Sequence, residues 1–493
     1  MKKTFLFHLV FLKVFCAFTL CAAQAETKKF TLEEVIKLAA EQSPDALSAK
    51  NQYYNSYWQY KIYQTDFLPR LSFDGNSNIN RAINPITLPT GEAIFVQQHL
   101  TTSAANLTLA QNIGLSGTQI FINSGVQRID ITSDPVSRSY LSTPVRVGFQ
   151  QPVLSYNPLR WQRKIEPLKF TEAKRQYLES MEGLSQKAVS AFFDLFLAQI
   201  NMEIALKNKS NNDTLIKIAR GRYNLGKIAE NELLQIELEA LNANTSVTQA
   251  NLDVKISMFN LKKFLGIRDN SEISLVTPAP PPALKINFNI ALEQALKNRM
   301  KVTQLERELV EAARDVAQAK GESRFKMNLT GSYGLTKSDP VLKQTYINPL
   351  EQQQLNLGVT MPIIDWGRAG AQVKMKEASQ ELIKTTVEQE RINFEQEIFL
   401  TATQYEIQND QYQIATKADT IGIKRFEVAK QRYYIGKIDV TGLQIAQREK
   451  DLSTRSYVEA LRNYWNLFYS VRRLTLFDFS KNTIIERNLK PGK

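Results

Sequence analysis

Cysteine and histidine, the side chains that thiolate, metal and proton-relay chemistry needs most, are almost missing from this chain beyond its first 25 residues. Of the 2 cysteines and 2 histidines among 493 residues, Cys16, Cys21 and His8 lie in that leader, and only His99 remains. A thiolate metal site or a serine–histidine–aspartate relay needs groups that one histidine cannot supply, and His99, in a polar stretch, reads as a surface residue. Glycine-rich phosphate loops, cofactor fingerprints and metal-spaced His and Asp sets are absent. An enzyme is therefore not expected, nor a cofactor or a metal. What the chain offers instead is polar chemistry that recurs. Arg222-Tyr223-Asn224-Leu225-Gly226-Lys227-Ile228 returns 210 residues later as Arg432-Tyr433-Tyr434-Ile435-Gly436-Lys437-Ile438. Glycine permits the left-handed conformation that ends a helix, and lysine there meets the electron-rich last carbonyls. Just beyond stand Glu230, Glu232 and Asp439. As a threefold set they would form an acidic constriction selective for cations; singly they would favour a helix N-terminus.

Those residues need long elements to hold them. Lys2, Lys3, an apolar run from Phe5 to Ala22 and Ala23-Gln24-Ala25 read as a secretory signal over residues 1–25. Lipidation at Cys21 is disfavoured, because no small residue precedes it. Loss of Lys2, Lys3 and Lys13 lowers the formal charge from +13 to +10. The acids and bases are interspersed, which suits solvated helix faces and not a nucleic-acid track. After Ala25 no uninterrupted apolar run reaches about eighteen residues, so any membrane crossing is expected through strands.

Strict alternation predicts strands at about 69–80 and 144–153, and again at about 326–336 and 354–363. Leu71 and Phe73 alternate with Asp74 and Asn76, and Val147 and Phe149 with Arg146 and Gln150. Leu329 alternates with Asn328 and Thr330, and Leu357 and Val359 with Asn356 and Thr360. One such strand alone would suit a soluble sheet packed on a core. The polar files, made of Asn, Asp, Thr, Gly and Arg, suit a water-filled lumen. Ahead of these strands the repeat offset is 256 rather than 210, so the first half holds 46 extra residues, in which 104–126 reads as an additional hairpin. Its place, in the wall, over the mouth or inside, stays open.

Helical periodicity then runs from about 159 to 223 and from about 369 to 433, rods near 100 Å long at about 1.5 Å per residue. Each breaks at a tip, 224–229 and 434–439, and returns. The stiff Pro-rich segment 277–287 separates a first repeat, 26–276, from a second, 288–493. Trp366, in the turn Asp365-Trp366-Gly367-Arg368, suits either a membrane-interface belt or simple packing.

The duplicated helix-strand-strand-helix-helix plan, the Leu68-Pro69 lead into the first strand and the two Arg-Tyr-x-x-Gly tips resemble the TolC family of outer-membrane efflux proteins. The resemblance covers essentially the whole chain after residue 25. It implies a mainly α fold with a β-barrel portion and a homotrimer, sharing one outer-membrane β-barrel and one long periplasmic α-helical barrel. It also implies docking of a periplasmic adaptor (membrane fusion) protein and an inner-membrane transporter at the tips, through Arg222, Leu225, Gly226, Lys227, Arg432, Ile435, Gly436 and Lys437. The aspartate ring often found after the second tip is missing, since Gly442 and Ile445 stand there. Four strands cannot close a barrel alone. Three chains give twelve, the favoured count, or eighteen if the additional hairpin joins. The contrasting expectation is a soluble periplasmic coiled-coil scaffold with a small β domain.

Overall fold

The computed structural model describes residues 27–133, 136–269 and 271–487; the expected signal segment and Cys21 lie outside them. The first repeat begins with β1 (Thr27–Phe30), α1 (Leu32–Gln42) and α2 (Pro44–Thr65). Four strands follow: β2 (Arg70–Thr87), β3 (Ala93–Ile113), β4 (Thr118–Ile131) and β5 (Ser137–Val153). Then come α3 (Pro158–Asn224), α4 (Glu230–Leu265) and β6 (Glu272–Leu275). The second repeat holds α5 (Phe288–Asn298), α6 (Met300–Glu322), β7 (Lys326–Asp339), β8 (Leu350–Thr360), α7 (Arg368–Tyr434) and α8 (Val440–Thr475). Two short strands, β9 (Phe477–Asp478) and β10 (Thr483–Ile484), end the described chain. The helices keep the repeat to the residue: α3 and α7 each have 67 residues, and α4 and α8 each have 36.

The chain divides into two compact units. The first takes the described parts of Met1–Lys50, Leu178–Ala295 and Glu397–Asn488. Its core is aromatic and aliphatic, with Phe192, Phe193, Leu195, Leu261, Tyr405 and Tyr464 fully buried. By length and composition α3 holds one stretch apolar enough to cross a membrane, but Ala188, Phe192, Phe193 and Leu195 spend that apolarity on this core. The Pro-rich segment is tied down by side chains: Tyr405 Oη donates to the Pro282 carbonyl at 2.6 Å, and Trp465 Nε1 to that of Ala279 at 3.0 Å. The buried Glu182 is neutralised by Arg472, whose Nε lies 2.9 Å from Oε2, as a buried carboxylate must be.

Two helices of this unit also carry apolar stripes that no other described residue of the chain covers. On α7, Leu400, Ile407, Ile414, Ile421 and Val428 recur every seventh residue, Ile435 follows at the same interval just past its end, and all are exposed. On α4, Leu234, Leu238, Leu241, Leu252, Ile256 and Phe259 form a second stripe, also exposed. Seven-residue spacing is the pattern of a helix waiting for a supercoiled neighbour.

The second unit takes the described parts of Asn51–Tyr177 and Leu296–Gln396. Its sheet is one antiparallel meander in the order β2-β3-β4-β5-β7-β8. Sequence alternation gave four strands per chain, and thence twelve for a trimer, but the sheet contains six. The additional hairpin, β3 with β4, lies between β2 and β5 along its whole length. It does so because its residues share the two-residue period of the others, so the pairing puts Leu107, Leu109, Ile120 and Ile122 on the same face as Leu71 and Val147. Beside the sheet, Tyr60 stacks on Phe170 at 4.6 Å, and Arg307 bridges Glu172 at 2.6 Å and Glu311 at 2.5 Å.

Candidate functional site: the hairpin tips and the polar sheet face

Each tip is a helix ended by a glycine that must be left-handed. Gly226 has φ +63° and Gly436 φ +74°. At the first, Gly226 N–H donates to the Tyr223 carbonyl and Lys227 N–H to that of Arg222, both at 2.8 Å. At the second, Gly436 N–H donates to Tyr433 at 3.0 Å and Lys437 N–H to Arg432 at 2.8 Å. These paired bonds close the last carbonyls of a helix in the Schellman manner. Leu225 and Ile435 then point outward, 72 % and 71 % exposed, with Lys227 and Lys437 exposed beside them.

The two tips are brought together. Leu215, Ala219 and Ile236 from the first hairpin pack with Phe426, Tyr433, Val440 and Leu443 from the second. Arg222 crosses between them: its Nη2 donates to the carbonyls of Tyr433 at 3.2 Å and Tyr434 at 3.0 Å, and its guanidinium lies over the Tyr433 ring. Burial pushes the Tyr433 hydroxyl above its ordinary pKa. Arg222 is thus spent on joining the hairpins, whereas its counterpart Arg432 is exposed. Among the carboxylates, Asp439 caps α8, accepting from Gly442 N–H at 2.8 Å. Glu230 and Glu232 lie in the first turn of α4, whose N-cap, Ala229, has no side-chain bond to give.

In the sheet, backbone register assigns each side chain to a face. Asp74 opposes Asn106 and Asn76 opposes Ala104; Arg146 opposes Asn123 and Gln150 opposes Gln119. Gln150 also opposes Thr330, Thr330 opposes Asn356, and Asn328 opposes Gly358. Thr360, opposite Lys326, completes the set on the same face. The other face carries Leu71, Phe73, Leu107, Leu109, Ile120, Ile122, Val147, Phe149, Tyr333, Leu355, Leu357 and Val359, all exposed. The sequence pointed to Arg146 but missed its partners. Arg146 Nη2 donates to Asn123 Oδ1 at 3.4 Å, and Asn123 Nδ2 to Thr108 Oγ1 at 3.0 Å. Both partners come from the additional hairpin, and period-two alternation through Thr108 and Asn123 was the signal available. Below the sheet, Trp366 is 95 % exposed and unpacked. The Asp365 carboxylate is held below its ordinary pKa by the amide N–H groups of Ala369 and Gly367.

Residues 291–475 match the family model of outer membrane efflux proteins. No curated protein matches the chain. Among solved structures the chain is similar to the Campylobacter jejuni CmeC outer membrane channel, with TM-score 0.66 and 16 % identity over 93 % of this chain and 87 % of that one. It is similar to VceC from Vibrio cholerae, with TM-score 0.63 and 13 % identity over 90 % and 95 %. For MtrE of Neisseria gonorrhoeae, in its open state, TM-score is 0.61 and identity 14 % over 93 % and 91 %. Glycine-closed hairpin tips, a sheet apolar on one face and polar on the other, and a sequence matched from α5 to the end of α8 point the same way: the chain has the fold of these outer membrane channels, and its second repeat carries the sequence pattern of outer membrane efflux proteins.

Proposed function

We propose that three copies of this chain form the outer-membrane duct of a tripartite efflux or secretion system, passing small molecules to the outside. The observation that carries this is the sheet. Exposed apolar side chains such as Leu71, Leu107, Ile122, Val147, Tyr333 and Leu357 lie on one face, and Asp74, Asn106, Asn123, Arg146, Thr330 and Asn356 on the other, which is how a wall between lipid and water is built. The helices supply the rest of the assembly. α4 is acidic from Glu230 to Asp253 and basic from Lys255 to Lys263; α7, running the opposite way to the tip, is acidic from Glu397 to Asp410 and mainly basic from Lys417 to Arg432. Laid antiparallel, the α4 stripe of one copy meets the α7 stripe of the next with opposite charges beside it.

In this reading Leu225 and Ile435, with Lys227 and Lys437, dock a periplasmic adaptor that connects to an inner-membrane transporter. Gly226, Gly436 and Arg432 belong to the same docking edge, and Arg222 holds the two tips in register for it. Glu230 and Glu232 supply an acidic constriction where the hairpins converge, with Asp439 fixing the helix beside them. Extraction from outer membranes as a trimer that dissociates on heating is the expected result. Recovery as a soluble periplasmic protein would instead establish the coiled-coil scaffold.

A further inference from the structure

We infer that the membrane wall of the assembled protein has eighteen strands, six from each copy, with β8 of one copy paired to β2 of the next. This rests on the duct reading and adds to it the size of the exit. Three features of the sheet carry it. First, β3 and β4 are interlocked with their neighbours rather than laid upon them. The Phe121 ring of β4 occupies the space above Gly148 of β5, and Asn106 of β3 fills the space above Gly125 of β4. A side chain at either glycine would collide with them, so these notches fix the register of the additional hairpin.

Second, the hairpin continues the lipid face. Leu107 and Leu109 on β3 and Ile120 and Ile122 on β4 lie in the same apolar band as Leu71 on β2 and Val147 on β5. Packed inside a lumen or over its mouth, these four side chains would stand in water.

Third, the two sheet edges are unfinished. β2 and β8 each have one neighbour, and an open edge of this length demands a partner. Leu71 and Phe73 on β2, and Leu355, Leu357 and Val359 on β8, are 54–75 % exposed, against 36–47 % for the apolar residues named above on β3, β4 and β5. An even number of strands per copy lets each edge meet the next copy antiparallel. Barrel diameter grows roughly linearly with strand number, so eighteen strands give about one and a half times the width of twelve, and a barrel of that size keeps an aqueous channel. The exit is then too wide to select cargo, and selection falls to the periplasmic end.

The test uses full-length protein in outer-membrane vesicles, where the chain after residue 25 has no cysteine to interfere. Single variants Leu107→Cys and Ile122→Cys are compared with Ala104→Cys and Gln127→Cys, using a charged, water-soluble maleimide and a bilayer-soluble one. The expected result is that the charged reagent modifies only Ala104→Cys and Gln127→Cys, and the bilayer-soluble reagent only Leu107→Cys and Ile122→Cys. Labelling of all four by the charged reagent would put the hairpin in water and overturn the eighteen-strand wall. A disulfide formed between copies from cysteines placed on β8 and β2 would support it; a disulfide-competent pair found only between β2 and β5 of one copy would overturn it. Trimer formation and export are scored separately on the same variants, so the duct stands or falls on its own.

Discussion

The helical and strand-bearing portions of this duplicated chain have kept their symmetry to different degrees. Helices α3 and α7 match at 67 residues and α4 and α8 at 36, whereas the sheet takes four strands from the first repeat and two from the second. The physics of each element explains the contrast. Removing one residue from a helical hairpin shifts its tip by about 1.5 Å and rotates the remaining face by about 100°, so its buried stripe and its end both miss their partners. Adding a hairpin to an antiparallel sheet alters neither the alternation of faces nor the direction of the edges. Helix length is thus fixed by where the tips must meet, and strand number is constrained only by closure.

The largest effect should come from breaking the equality of the helices. Deleting one heptad from α3 and one from α4 withdraws the first tip by about 10 Å, and export should be lost in a drug-accumulation assay. Deleting heptads at the equivalent positions of α7 and α8 as well should restore assembly on a gel. If the one-sided deletion exports normally, matched tip length is not the constraint. Next in size is a pair of substitutions on the strand side. Gly148→Val drives a side chain into Phe121 and the Gly331 carbonyl, and overpacking of this kind costs about 1–3 kcal/mol. Less trimer should reach the outer membrane. Gly358→Val, where the nearest atom to an added Cβ is at 3.8 Å, should leave trimer yield unchanged. Equal yields would mean that the β4–β5 notch is not part of the assembled wall.

The same contrast decides what was legible in the sequence. The tips were visible because glycine, flanking Arg-Tyr and following Lys-Ile recur in one frame, and a left-handed glycine has few other uses at the end of so long a helix. The polar and apolar files of β2, β5, β7 and β8 were visible because alternation needs only neighbours in the chain. The extra 46 residues were visible as an offset, but their pairing was not. A hairpin's position in a sheet is set by contacts between distant residues, here Phe121 with Gly148 and Asn106 with Gly125, and no local period records them. The role of Arg222 was hidden for the same reason, since its acceptors are 211 and 212 residues away.

Two glycines at and near the end of α3 test the tip itself. Gly226 has φ +63° and Gly221 has no such strain, with open space around both. A left-handed conformation costs an L-residue roughly 1–2 kcal/mol, and a β-branched side chain suffers more. Gly436→Val, at φ +74°, should therefore weaken adaptor pull-down and export, as should Gly226→Val. Gly221→Ala should instead raise thermal stability slightly by restricting the unfolded chain, about 0.4–1 kcal/mol. Unchanged pull-down and export by Gly436→Val would remove the tips from the docking edge.

The smallest effect lies in how two of the equal helices begin. α8 begins with Asp439 capping its first turn, while α4 begins with Ala229, which offers no side-chain acceptor. A capping aspartate contributes about 0.5–2 kcal/mol over alanine, so Asp439→Ala should lower the melting temperature of the purified trimer and Ala229→Asp should raise it. The two changes should differ in function as well. Glu230 and Glu232 already crowd the start of α4, and a third carboxylate there would strengthen any acidic constriction formed by three copies. Cation permeation through the purified channel in a planar bilayer should therefore become more selective with Ala229→Asp and stay unchanged with Asp439→Ala, whose carboxylate is occupied by the Gly442 amide. An equal shift in selectivity from both would return Asp439 to the constriction, and no shift from either would leave the first turn of α4 with a purely structural charge.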